Sequence, residues 1–267
     1  MRELGSRRKA WTLGWAVLVF LYAPLLVMAV FSFNDSEFTG LPFKGFTWRW
    51  YSMVLADDRL LGSVWNSVYV ALGVVGLSTL FGLPAAIALD RFEFRGKRWF
   101  GRLVLLPIVL PGVITGVALL LFYMAMHFKL SLYTIMLGQG TGLMCVTITE
   151  VTARLRRMGH SLEEAARSMG ANEWEVFQKV TLPGVLPALL GAMLISFSIS
   201  FDEIAVTYLL TGRQNTLPMA LWSMLRRQAT PEVNAVSTLI IVASVILIVV
   251  GAWLSRRGSA GPVAAPV

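Results

Sequence analysis

The sequence contains few charged residues and almost no cysteine or histidine. Only 14% of its 267 residues are charged, whereas about a quarter is usual in a soluble domain. The one cysteine excludes an internal disulfide bond. The two histidines, His127 and His160, lie far apart in sequence and give no support for a paired-histidine metal site or a Ser/His/Asp triad.

A phosphate-binding loop of the form G-x-x-x-x-G-K-[ST] is also missing. Gly96 and Lys97 come nearest, but Arg98 follows them and the earlier glycine is lacking. The chain is therefore expected to hydrolyse no ATP by itself, to bind no metal or cofactor and not to be an enzyme. A polytopic membrane enzyme would need convergent catalytic groups near one interface, and only scattered acids are present.

Long apolar runs fill most of the chain. It is 56% hydrophobic, with a mean hydropathy of +0.68, and a membrane-crossing helix needs about 20 apolar residues. The sequence predicts an all-α membrane protein with six transmembrane helices, at residues 11–33, 64–89, 103–126, 132–151, 185–210 and 235–254. Small and polar residues around Gln139 interrupt the fourth run, which favours a helix packed among other helices.

The distribution of lysine and arginine predicts the orientation of these helices. Sixteen of the 23 fall in the termini and loops on one side of the membrane, and seven fall on the other. Because basic residues favour the cytoplasm, both termini are expected there. The basic residues are shared among four separate segments, so no nucleic-acid partner is expected. The first run is longer than a signal-peptide core and lacks an A-x-A-like cleavage site, which favours a retained helix.

A polar segment at residues 152–183 separates the fourth and fifth runs, on the predicted cytoplasmic side. Ser161 and Glu164 have the spacing of a capping box, and Gly170 is a typical helix terminator. Between them, apolar side chains recur at helical spacing and predict one apolar stripe: Leu162, Ala165, Ala166 and Met169.

A second short helix is predicted after Gly170. Asn172 and Glu175 form another capping box, and Pro183 is expected to stop the helix before the fifth run. Its apolar stripe consists of Trp174, Phe177 and Val180. Exposed stripes of this kind require a partner surface, which predicts a docking element. The alternative is an amphipathic helix that lies on the lipid surface.

These residues also carry a family resemblance. Glu164-Ala165-Ala166, then Gly170, Val180 and Leu182-Pro183, resemble the EAA motif of ABC importer permeases, at matching spacing. Over nearly the whole chain the sequence is similar to the spermidine/putrescine permeases, in motifs such as Phe31-Ser32-Phe33-Asn34, Arg91-Phe92-Glu93-Phe94-Arg95-Gly96-Lys97, Thr216-Leu217-Pro218 and Pro231-Glu232-Val233-Asn234-Ala235. The fourth run departs from that family, which carries a more aromatic, proline-containing segment there.

The resemblance implies a type I importer permease fold in the bacterial inner membrane. It implies four partners: a pair of ATP-binding subunits that hold ATP and magnesium, a second homologous permease, an extracytoplasmic substrate-binding protein and the lipid bilayer. The residues expected to couple to the ATPase are Glu164, Ala165, Ala166, Gly170, Trp174, Phe177, Leu182 and Pro183.

Two acidic residues lie within the fifth apolar run. Asp202 and Glu203 would each cost about 2.5–3.5 kcal/mol at the bilayer centre, so they are expected to face a polar path or a partner. Neighbouring residues of a helix point about 100° apart, so one of the two is expected to face the pathway while the other caps or pairs. Such acids suit an organic polycation, as in the polyamine family. The alternative is that both are solvated near the outer surface.

Residues 211–234 are expected to form an outer scoop or re-entrant helix, with Met219, Leu221, Trp222 and Leu225 on one face. Tyr208 and Trp222 are candidates to meet a cation, although anchoring at the membrane interface is the commoner role of such residues. Pro84, Pro107 and Pro111 are expected to kink the second and third helices.

The predicted function is therefore a permease subunit that forms half of a pathway for a small organic cation, foremost a polyamine. The alternatives are an importer of the same class for another small solute, such as a phosphonate or an amino-acid-like compound, or an ATPase-independent secondary transporter. A secondary transporter would more often show inverted repeats, and no clear one is visible in the sequence.

Overall fold

In the computed structural model, residues 2–37, 39–227 and 230–258 are described. This part of the chain is helical apart from turns, loops and one isolated β-bridge between Asn34 and Phe46. The helices are α1 (Arg2–Phe31), α2 (Arg49–Ala56), α3 (Asp58–Arg91), α4 (Lys97–Val109), α5 (Gly112–Ala125), α6 (Leu132–Met158), α7 (Ser161–Ser168), α8 (Glu173–Val176), a π turn (Phe177–Thr181), α9 (Leu182–Phe201), α10 (Ala205–Leu210), α11 (Leu217–Arg227) and α12 (Pro231–Gly258).

Four of the described helical stretches are long and apolar enough to cross a membrane: Trp11–Phe31, Asp58–Arg91, Leu132–Met158 and Glu173–Phe201. The bent pair of α4 and α5 makes a fifth if it counts as one span. Of the sixth predicted span, Pro231–Ile246 forms a shorter apolar helix, and the side chains beyond it lie outside the described residues. The structure thus supports an all-α membrane protein with four or five spans, while six spans and the sidedness of the termini stay predictions.

The third span is broken rather than kinked. α4 ends at Val109, α5 begins at Gly112, and the helix axis bends by 108° between them. Leu110 has extended backbone angles, because a residue that precedes proline is disfavoured in the helical region, and Pro111 has no N–H to continue the ladder. The predicted kink at Pro111 is therefore a full break. Pro84 and Pro107 lie inside helices that continue past them.

The two halves of this broken span pack against opposite ends of α6. Val104 of α4 packs on the cluster around Val151 and Leu155, towards the Met158 end. Tyr123 of α5 packs with Leu132 and Ile135, at the other end. The chain therefore travels the length of α6, as a single broken span would, rather than returning on the same side.

The chain divides into two compact units, and Arg59–Ala220 form the larger one. In this unit α3 packs against α6, and small residues allow a close approach of the two helices. A Cβ at Gly82 would lie 2.8 Å from Cβ of Thr147, and one at Gly140 would lie 3.0 Å from Leu77. The buried face of α3 repeats at helical spacing: Leu60, Ser63, Ser67, Val70, Ala71, Val74, Ser78, Gly82 and Ala86.

The smaller unit contains α1, α2 and α12. The connection between α1 and α2 is held by polar bonds: the Trp50 indole donates to the Asn34 carbonyl at 2.8 Å, and the hydroxyls of Ser32 and Tyr51 are 2.6 Å apart. Ser32 and Asn34 are both buried. The family-like stretch at residues 31–34 therefore has a structural role, because it fixes the connection between α1 and α2.

Candidate coupling segment and transport pathway

The polar segment at residues 152–183 forms the two short helices predicted for it, with one difference at its start. α7 begins at Ser161, but its N-cap is His160, which makes no side-chain capping bond. The predicted capping box between Ser161 and Glu164 is therefore wrong. Gly159, at φ +70°, turns the chain sharply after α6, so the helix starts one residue earlier than that box would require.

The apolar stripe of α7 is divided between two environments. Ala166 is buried against the chain together with Glu163, whereas Ala165 is exposed. Leu162 is 61% exposed and Met169 is 83% exposed. Three of the four predicted members of the stripe are therefore exposed, and Ala166 is buried.

The second helix is capped as predicted. The Glu175 amide donates to the Asn172 side chain at 2.9 Å, and the Asn172 amide donates to the Glu175 carboxylate at 3.1 Å. The Asn172 amide and the Lys179 ammonium, which donates at 3.1 Å, lower the pKa of the Glu175 carboxyl below its ordinary value. Nearby, the Arg167 guanidinium binds Glu173 at 2.7 Å and lowers the pKa of that carboxyl.

Pro183 does not end this helix, contrary to the prediction. α8 continues through the π turn into α9, so the chain stays helical from Glu173 to Phe201. The ring of an interior proline collides with the carbonyl four residues earlier. Here the Leu182 amide bonds to the Phe177 carbonyl, five residues back, and this wider turn accommodates Pro183.

Most of the residues expected to meet an ATPase lie at or near the surface. Glu164, Gly170 and Pro183 are exposed, and Phe177 and Leu182 are partly exposed. Trp174 is 63% exposed, and its ring stacks on Phe177 with centroids 5.4 Å apart. Large aromatic side chains are typical anchors of protein interfaces.

Sequence reasoning missed the contact that holds this segment in place. Nε of Arg91, the last residue of α3, lies 3.0 Å from the Glu163 carboxylate, and both side chains are buried. Arg91 is the first residue of the family-like stretch at residues 91–97. Its partner could not be identified, because Glu163 lies 72 residues away.

The acidic pair lies in a break between helices rather than within one helix. The predicted fifth run at residues 185–210 forms α9 and α10, which are separated by Asp202, Glu203 and Ile204. The Glu203 carboxylate accepts a 3.0 Å bond from the Val206 amide and so caps α10. Asp202 is exposed. This capping bond compensates for the break, because it satisfies an amide that a continuous helix would have paired with a backbone carbonyl.

Glu203 also lines a cavity of about 320 Å³. Both broken helices meet α6 there: the walls include Pro107, Gly112, Gly138, Gln139 and Ser200. Near the Glu203 carboxylate, a Cβ at Gly112 would lie 3.6 Å from Oε1. The cavity therefore combines glycine-lined backbone, one carboxylate and a buried side-chain amide.

The other two pathway candidates lie elsewhere. Tyr208 is exposed on α10 and does not line the cavity. Trp222 belongs to the smaller unit, where the Arg226 guanidinium lies 5.2 Å from its ring centroid. Within the described residues, no group of three His, Cys, Asp or Glu side chains is arranged to hold a metal ion.

The start of the predicted scoop segment is fixed to the larger unit. The Thr134 hydroxyl donates to the Leu210 carbonyl at 3.0 Å, and the Leu217 amide donates to the Ser67 hydroxyl at 2.8 Å. α11 confirms a helix in this segment. Its role outside the membrane stays a prediction.

Comparison with known proteins agrees with these features. The chain is 30% identical over 252 residues to the spermidine/putrescine transport system permease protein PotC of Escherichia coli K12, which covers 93% of this chain and 95% of that protein. It is 33% identical over 267 residues to the putrescine transport system permease protein PotI of the same strain, at 96% and 95% coverage.

A solved bacterial ABC transporter that imports the acidic polysaccharide alginate has the same fold. One of its chains matches with a TM-score of 0.71 at 19% identity, covering 95% of this chain and 96% of that one. Residues 78–258 match the family described as binding-protein-dependent transport system inner membrane component. The chain therefore belongs to this family of inner-membrane permease subunits of ABC importers, which confirms the resemblance found in its motifs.

Proposed function

We propose that the chain forms half of the translocation pathway of an ABC importer for a polyamine such as putrescine or spermidine. It has six membrane spans with both termini in the cytoplasm. Residues 152–183 are its cytoplasmic coupling loop, and residues 211–234 form an extracytoplasmic scoop. The names of the relatives PotC and PotI support this substrate class.

The observation that carries the proposal is the carboxylate of Glu203 in the cavity between the two broken helices. A carboxylate inside a membrane protein is retained where it faces a polar path or a cation. The capping bond to Val206 holds it in place. A protonated amine that passes through the cavity pairs with this carboxylate, and the methylene chain of a polyamine suits the apolar walls.

The partners follow from the form of the coupling loop. One chain carries one such loop, whereas ATPase subunits of this class act in pairs, so a second homologous permease completes the transporter. The exposed side chains of Leu162, Met169 and Trp174 suit a cleft in an ATPase subunit. ATP and magnesium bind to that subunit, and an extracytoplasmic binding protein delivers the substrate.

Uptake measurements on the complete transporter in proteoliposomes test the pathway. Glu203→Gln is expected to lower uptake of labelled spermidine about tenfold or more, because one charge-assisted contact worth about 1.5–3 kcal/mol is lost. Asp202→Asn is the matched control, and it is expected to have the smaller effect because Asp202 is exposed. Unchanged spermidine uptake in both variants contradicts the role of these acids in the pathway. A wild-type transporter that takes up no spermidine contradicts a polyamine substrate and leaves another small solute, such as a phosphonate.

Purification with the ATPase subunit tests the coupling loop. We expect the subunit to remain with the wild-type chain and to be released by Glu164→Lys, which reverses an exposed charge in the loop. Uptake must also stop when the ATPase cannot hydrolyse ATP. Uptake that continues without hydrolysis identifies an ATPase-independent secondary transporter instead.

A further inference from the structure

The end of α3 is tied to the coupling loop by a buried group of charged side chains. Nε of Arg91 lies 3.0 Å from the Glu163 carboxylate on α7, and its Nη1 lies 2.6 Å from the Asp90 carboxylate. Nη2 of Arg91 donates at 2.9 Å to the carbonyl of Gly159, which ends α6. The side chains of Arg91 and Asp90 are each 8% exposed, and that of Glu163 is 4% exposed.

The Glu163 carboxylate also bonds to the helix on the other side of the loop. The Thr181 hydroxyl donates to it at 2.8 Å, from the last residue of the π turn before α9. On α6, Nε of Arg156 lies 3.7 Å from the Asp90 carboxylate. We call these five residues, Asp90, Arg91, Arg156, Glu163 and Thr181, the Arg91 cluster.

Two of the helices joined by the cluster, α6 and α9, are continuous with the coupling loop along the chain, whereas α3 is not. α6 runs into α7 through Gly159 and His160, and α8 runs through the π turn into α9, so both membrane helices follow the loop through the backbone. α3 lies about 70 residues earlier in the chain and reaches the loop through Arg91. Its buried part holds one cation, Arg91, and the carboxylates of Asp90 and Glu163, whereas the Arg156 side chain is 73% exposed.

The position of the cluster argues for a geometric role. A buried ion pair is weak evidence for stability, because its desolvation offsets most of its attraction, but it does restrict the arrangement of its members. The planar guanidinium of Arg91 bonds to three groups at once: the Asp90 and Glu163 carboxylates and the Gly159 carbonyl. A lysine cannot reproduce this fork.

We propose that the Arg91 cluster makes α3 part of the lever that moves with the coupling loop. Arg91 and Glu163 are positioning residues: they bind neither ATP nor substrate, and they transmit the motion of the loop to a third membrane helix besides α6 and α9. Because α3 packs closely on α6 along Gly82 and Gly140, the three helices move as one body. This inference rests on the proposed coupling of residues 152–183 to an ATPase.

A distance measurement in the complete transporter tests this directly. Spin labels are placed at Phe92, directly after α3, and at Ser168, the exposed end of α7, in a Cys145→Ala background. The distance between the labels is expected to be the same without nucleotide and with ATP bound. A distance that changes on ATP binding overturns the proposal, since α3 and the loop would then move separately.

Variants of the cluster test its effect on transport. Arg91→Lys and Glu163→Ala are each expected to lower uptake per ATP hydrolysed at least about fivefold, and the double variant to be no worse than the more affected single variant. Arg98→Lys is the matched control, because Arg98 lies near the same end of the bundle but is exposed; it is expected to leave the ratio unchanged. An unaltered ratio in both cluster variants overturns the proposal.

The outcome is distinguishable from a failure of the proposed function. If no ATPase subunit purifies with the wild-type chain, the proposed function fails. If the subunit purifies with the chain and the label distance changes with ATP, only the present inference fails. The label measurement uses the intact cluster, so it decides the question even where a variant does not assemble.

Discussion

The Ser200 hydroxyl on α9 donates a 2.6 Å hydrogen bond to the side-chain carbonyl of Gln139 on α6. The amide of the same side chain donates at 2.8 Å to the Thr207 hydroxyl on α10. Ser200 and Thr207 lie on either side of the break that contains Asp202 and Glu203, and all three bonded side chains are buried. Gln139 therefore bridges the broken fifth span beside the cavity that Glu203 lines.

Replacing this bridge is expected to destabilise the protein. Gln139→Leu leaves two buried hydroxyls without their partner, and each unsatisfied group costs about 1–3 kcal/mol. We expect a lower melting temperature in detergent and weaker uptake. Gln139→Glu keeps the shape of the side chain and its acceptor for Ser200. Its melting temperature is therefore expected to lie between those of the wild type and Gln139→Leu. An unchanged melting temperature for Gln139→Leu would show that the bridge is not needed.

The turn between α7 and α8 depends on the backbone of Gly170. Its φ is +89°, and a Cβ added there would meet no atom within 4 Å, so only the backbone conformation opposes a side chain. Gly170→Ala is expected to cost about 1–2 kcal/mol, whereas asparagine tolerates this conformation better. Hydrogen exchange of the loop and retention of the ATPase subunit measure the effect. The prediction fails if Gly170→Asn is the more disruptive change.

Trp174 is expected to act in binding rather than in folding. Its side chain is 63% exposed and stacks on Phe177, so Trp174→Ala removes little internal packing. The expected result is binding of the ATPase subunit weakened by about 30-fold or more, as for an interface anchor worth about 2 kcal/mol, with an unchanged melting temperature. Trp99→Ala is the control, because Trp99 lies outside the coupling loop and its side chain is similarly exposed, at 69%. Equal effects of the two variants on ATPase binding would contradict the prediction.

The second helix of the loop is expected to lose its cap in acid. Bonds from the Asn172 amide and from Lys179 place the pKa of Glu175 below its ordinary value. A pKa that is lower in the folded state contributes stability above the unfolded value of about 4.3, and this stability disappears as the pH falls through the folded pKa. Protection of the Glu175 amide from hydrogen exchange should therefore fall as the pH drops below about 4.3 and through the lower pKa of the folded state. In Glu175→Gln it should not depend on pH in this range.

In the coupling loop, the sequence correctly predicted the features that depend only on neighbouring residues. The capping box of Asn172 and Glu175 and the turn at Gly170 involve groups within a few positions of each other, and both are present. The box at Ser161 was wrong because the start of α7 is set by the turn at Gly159, whose carbonyl is bound by the distant Arg91. The burial of Ala166 and Glu163 likewise depends on contacts with distant parts of the chain.

Composition alone determined that this is a helical membrane protein, because long apolar runs exclude most other folds, and a fixed motif was enough to suggest its family. Where the helices break was decided by tertiary structure. The fifth run reads as one continuous apolar helix, yet Gln139, more than 60 residues away, bonds across its interruption, and Glu203 is turned towards a cavity that three separate segments enclose. Bonds between residues so far apart depend on the folded path of the chain, which local hydrophobic patterns do not contain.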